Sequence, residues 1–93
     1  MRKNGEEIME YLKIKDSIDL LELTEFGYRR IDLLGDGHPS AYKKRIKNIM
    51  VAIDVIFRRI KIYDIRKFNK DLSHKKKYVK DLIQAGLVEK VEK

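Results

Sequence analysis

From Tyr42 to Ile60 the chain carries Ile46, Ile49, Met50, Ile53, Ile56, Phe57 and Ile60 at helical spacing without a break. Val51, Ala52 and Val55 make the second half of that stretch apolar nearly all round, which calls for burial on several sides. The pattern predicts a central helix that either anchors the domain or forms a dimer core. Ser40 is placed to cap it, just after Gly35-Asp36-Gly37-His38-Pro39, the strongest turn signal in the chain. A stripe this large exceeds what a two-layer core of 93 residues comfortably covers, so a homodimer is expected.

The flanking segments are shorter. Ile8, Tyr11 and Leu12 suit a small amphipathic helix over 6–14. Ile14 to Leu23 fits either a helix capped by Ser17 or a strand. Thr24 is placed to cap a helix ending at Leu34. Arg59 to Ile65 reads as a short strand, and Ile65, Phe68 and Leu72 outline a short helix. Ser73 would cap a further helix whose buried stripe is Val79, Leu82 and Ile83, with Gly86 as its stop and Leu87 to Glu92 as a terminal strand. The fold class expected is therefore mostly α with a small β element, a single domain over 1–93.

Charge is unevenly spread. Residues 1–39 hold 6 basic and 9 acidic groups, whereas residues 40–93 hold 16 basic and 6 acidic ones. An acidic part contributing to core or dimer and a basic part facing a polyanion follow from that division, with nucleic acid ahead of a membrane surface. The absence of cysteine removes disulfides and thiolate metal sites, and His38 and His74 alone make no imidazole zinc centre. No metal and no cofactor are expected. No apolar run approaches the ~18 residues of a membrane span, and Met1 opens onto charged residues rather than a signal peptide. A cytoplasmic chain, associated with nucleoid or plasmid, is the expectation.

The second half contains a strand, a short helix, a turn at Ser73, a second helix and a strand. Leu72-Ser73 and Tyr78-Val79-Lys80-Asp81-Leu82-Ile83-Gln84-Ala85-Gly86-Leu87-Val88-Glu89 resemble winged helix-turn-helix DNA-binding domains of the MarR, ArsR and PadR kind. That resemblance implies a second helix entering the major groove of double-stranded DNA. The candidate contacts are Ser73, His74, Lys75, Lys76, Lys77, Tyr78 and Lys80, the lysines on phosphates and Ser73, His74 and Tyr78 on base edges. A wing after Glu89 is missing, so the wing would be rearranged. In a second register, 24–34 and 40–52 form the helix-turn-helix, and Ser40, Tyr42, Lys43, Lys44, Arg45 and Lys47 face DNA. Arg58, Arg59 and Lys61 could reach the backbone or merely lie along apolar surface.

In length, composition and helix-turn-helix the chain is also similar to centromere-binding components of archaeal plasmid partition systems. This resemblance implies a dimer on a palindromic site that assembles further along DNA and meets a ParB-like adaptor. A plasmid- or virus-encoded transcriptional regulator needs the same contacts, and a small inhibitor module binding a protein through its basic face is the alternative outside DNA binding. Asp16, Asp19, Glu22 and Glu25 are better explained by solubility than by acid–base chemistry, and no nucleophile–base set supports an enzyme.

Overall fold

The computed structural model describes residues 10–92, with Phe68 and Asn69 described by backbone alone. The chain is mostly β. Strands β1 (Glu10–Ile14), β2 (Arg29–Ile31), β3 (Ala41–Ile46), β4 (Ile49–Asp54), β5 (Ile60–Asp64), β6 (Lys67–Asp71) and β7 (Val88–Glu92) form two antiparallel sheets. β2 to β6 make a five-stranded meander, and β1 pairs β7 in a two-stranded ribbon. The ribbon joins the meander where Lys13 bridges Arg59 and the Ile14 N–H donates to the Arg58 carbonyl at 2.9 Å. Among the described residues helical structure is limited to 3₁₀ segments at Leu20–Phe26 and Lys76–Val79 and to helix α1 (Lys80–Gln84).

This architecture overturns the mostly α, winged helix-turn-helix expectation, and the reason lies in the central stretch. Tyr42 to Ile60 is a hairpin and the turn after it, not a helix. In a hairpin closed by a two-residue turn, the flanking residues face each other although they are three apart in sequence. Ile46 and Ile49 pair across Lys47-Asn48 in this way, and Ile53 pairs with Ile60 across the next turn. These spacings of three and seven mimic a helical stripe. The underlying order is period two: Ile49, Val51 and Ile53 alternate on one face. Their β-branched side chains favour a pleated surface over a helix. The stripe expected as one helix face is therefore split: Val51, Ile53 and Ile60 fill the monomer's own core, with Ile46, Ile49 and Val55 packed against it, whereas Ile56 and Phe57 are exposed in the next turn.

Other helices are corrected likewise. Residues 1–9 of the first predicted helix lie outside the described residues, and 10–14 are strand. Asp19, not Thr24 or Ser17, caps the first 3₁₀ segment, accepting the Leu21 N–H at 3.0 Å. The segment stops at Gly27, and residues expected to continue it form β2 and a loop. The helix outlined by Ile65, Phe68 and Leu72 is β6, whose pairing with β5 shifts register between Tyr63 and Asp64. The short strand after Arg59, the turn at Gly35 to Pro39, the stop at Gly86 (φ 79°) and the terminal strand are as the sequence predicts.

The inner face of the meander presents Tyr42, Val51, Ile53, Ile60 and Ile62. Ile14, Leu23, Tyr28, Val79, Leu82 and Leu87 close over it from β1, the first 3₁₀ segment and the C-terminal helical segment. Each large apolar side chain so buried contributes about 1.5–3 kcal/mol. Ile83, expected inside, is 39% exposed, standing about 100° round α1 from the buried Leu82. Among the described residues no helix is long and apolar enough to cross a membrane.

Candidate nucleic-acid interface

Antiparallel partners point to the same side of a sheet, so the register fixes what the outer face of the meander carries. One row runs Arg29, Lys43, Ala52, Lys61 across β2, β3, β4 and β5. A second runs Arg45, Met50, Tyr63, Asp71. A third places Ala41 opposite Asp54, next to Arg59. None of Arg29, Lys43, Arg45 or Lys61 has a carboxylate at ion-pair distance among the described residues. With strands roughly 4.8 Å apart, the backbones carrying these cations stand roughly 4.8 Å apart from Arg29 to Lys43 and roughly 9.6 Å apart from Lys43 to Lys61.

Ala41 and Ala52 have side chains too short to fill the surface between their neighbours, and a groove of about 490 Å³ lies over them. It is lined as well by Tyr11, Asp54, Phe57, Arg59 and Lys61. The turn between β4 and β5 builds part of this lining. Asp54 accepts the Phe57 N–H at 2.6 Å and the Arg59 N–H at 3.1 Å. Arg58, in the left-handed region at φ 61°, donates to the carbonyls of Lys15 and Ile18 and ties the turn to the loop after β1. Phe57 thus projects from a pinned backbone while remaining 74% exposed. The Arg59 guanidinium lies 4.6 Å from the centre of the Tyr11 ring, and its buried Nε has no hydrogen-bond partner among the described residues.

Arg59 also borders a second cleft of about 230 Å³, lined by Tyr11, Asp71, Ser73, His74, Lys76 and Lys90 among others. Hydrogen bonds from the Ser73 hydroxyl and backbone N–H, aided by Arg59 and His74, hold the Asp71 carboxyl below its usual range against the opposing effect of burial. The Ser73 oxygen also accepts the Ile62 N–H at 3.0 Å, so Ser73 fastens strands instead of capping a helix.

The residues singled out from sequence therefore divide. Lys43 and Arg45 lie on the outer face, and Ser73, His74 and Lys76 border the cleft beside Arg59. Lys44, Lys77, Tyr78 and Lys80 gather elsewhere, with Ile46, Asp81 and Gln84. There Lys44 pairs with Asp81 at 3.1 Å and sits 5.5 Å from the Tyr28 ring. Burial, and secondarily the Asp81 charge, push the Tyr28 phenol up. Lys77 lies over the Tyr78 ring at 5.2 Å, and Lys75 is exposed. Tyr42 is buried at 3% exposure on the inner face, in the core and not on the surface. Ser40 closes the β2–β3 loop on the Ile31 carbonyl, and Lys47 occupies the β3–β4 turn.

The sequence reading missed Arg29, Ala41, Ala52, Phe57 and Tyr63 as site residues. Alternation of Ala41, Lys43 and Arg45 with Tyr42 and Ile46 was the available signal. Among the described residues no three His, Asp or Glu side chains cluster as a metal site would need. No family model, no curated protein and no solved structure matches this chain.

Proposed function

We propose that the protein binds nucleic acid through the outer face of its five-stranded sheet. The observation that carries this is the row of Arg29, Lys43 and Lys61, cations on neighbouring strands of one face with no carboxylate partner among the described residues. Arg45, Arg59 and Tyr63 extend it, giving the mixture of charge and aromatic surface that phosphates and bases both use. The Lys44 side is a weaker candidate because Asp81 already neutralises its central lysine. Duplex reading by a recognition helix has lost its element, since α1 has five residues and a length of roughly 7.5 Å. On this reading the chain works on the nucleoid or a plasmid.

The test is fluorescence anisotropy with labelled oligonucleotides over a salt series. Log K should fall linearly with log salt, by about 0.7–0.9 per phosphate contacted. Lys43→Gln with Lys61→Gln should flatten that slope by roughly 1.4–1.8. If that pair of changes does nothing while Lys77→Gln with Lys80→Gln abolishes binding, the interface is on the other side.

A further inference from the structure

Resting on that interface, we infer that the groove over Ala41 and Ala52 receives one unpaired nucleobase, so that the ligand is single-stranded nucleic acid. Asp54 decides what can enter. A phosphate beside that carboxylate would be repelled, whereas a base offers uncharged ring surface and N–H donors. Both Asp54 oxygens already accept a backbone N–H, from Phe57 and Arg59, which fixes the carboxylate in place; each keeps a lone pair for a further donor.

The remaining walls suit a flat ring. The alanine floor gives room for a ring to lie down, and about 490 Å³ exceeds what one base needs. Phe57 stands exposed at the rim on a turn held by Asp54 and Arg58, so a stacking surface is presented at small entropic cost. Arg59 also lines the groove, its guanidinium beside the Tyr11 ring and its Nε buried, so that its terminal N–H groups are the donors for a base carbonyl or the adjoining phosphate. Lys61 on one side of Ala52, and Lys43 with Arg29 on the other, then meet the backbone on either side of the base. A base stacked and paired inside a duplex cannot reach such a groove without being extruded.

The experiment compares a short single-stranded oligodeoxyadenylate, the same length as duplex, and an abasic strand, against the wild-type chain and two variants. Phe57→Ala removes the exposed ring, and Ala52→Leu fills the floor. Expected are at least tenfold tighter binding of the single strand than of the duplex, and about tenfold loss of single-strand affinity in each variant. The salt slope should be unchanged in both variants, and binding of the abasic strand should be insensitive to them. Equal affinity for duplex and single strand, with both variants binding as wild type, would overturn the base groove while leaving the sheet-face interface standing. A wild-type chain that binds none of the three, at low salt, would overturn the interface and the groove together.

Discussion

Arg58 offers a test in which the usual ranking of alanine and glycine inverts. Its guanidinium donates to two carbonyls, those of Lys15 and Ile18, across some forty residues of sequence. Hydrogen bonds from a charged donor contribute about 1.5–3 kcal/mol each, and partial solvation here brings the pair to about 2–3 kcal/mol. Arg58 also sits at φ 61°, where a residue with a Cβ is strained by about 1 kcal/mol. Arg58→Ala loses the bonds and keeps the strain, so it should destabilise by about 2–3 kcal/mol. Arg58→Gly loses the same bonds but relieves the strain and should destabilise by about 1–2 kcal/mol, less than alanine. In a domain of this size the alanine change corresponds to a fall in Tm of roughly 8–24 °C. Urea unfolding followed by far-ultraviolet circular dichroism measures both. An alanine variant as stable as wild type, or more stable than the glycine variant, would refute the assignment of Arg58 as the pin of this turn.

Lys47, at φ 56° in the β3–β4 turn, should tolerate glycine with a change within roughly 1 kcal/mol, whereas Lys47→Val should destabilise by more than about 1 kcal/mol, as read by thermal melting. Ile62 is fully buried beneath the centre of the sheet, and Ile62→Ala should lower unfolding free energy by about 2–5 kcal/mol in urea. The Asp71 carboxyl titrates below its ordinary value of 3.8 in the folded chain, so its stabilisation is present above that pH and is lost as pH falls through the folded pKa. Asp71→Asn should therefore be less stable than wild type at neutral pH, by less than about 1 kcal/mol because Asp71 is exposed. The two should converge well below pH 3.8, with denaturation midpoints at the two pH values as the readout.

Sequence periodicity carried some elements and hid others for a definite reason. Turn chemistry was legible: Gly35 to Pro39 forms the loop, with Asp32 accepting the N–H groups of Gly35 and Gly37, and Gly86 ends α1. Strand β5 and terminal strand β7 were legible from alternation. The β3–β4 hairpin was not, because its two-residue turn brings Ile46 and Ile49 face to face at a helical spacing. Lys47 hid the turn further, since a lysine stands at the positive-φ position where Gly or Asn is usual, leaving Asn48 as the turn's one such signal. Once that hairpin is misread as a helix, the sides of Lys43, Lys44 and Arg45 cannot be told apart. As strand residues, Lys43 and Arg45 face outward, and Lys44 turns in toward Asp81. The groove was invisible for a similar reason. Ala41 and Ala52 are unremarkable in a helix but leave a depression when they stand on adjacent strands between longer side chains. The excess of basic groups after residue 39 was readable and still motivates a polyanionic ligand.

The most direct measurement is a titration of the isotope-labelled chain with a short single-stranded oligonucleotide, followed by backbone amide chemical shifts. The sheet-face interface predicts that shifts gather on Lys43, Arg45, Ala52, Phe57, Arg59 and Lys61, leaving Lys77, Lys80 and Gln84 in place. Shifts confined to Lys77, Tyr78, Lys80 and Asp81, or none at any oligonucleotide concentration, would contradict it.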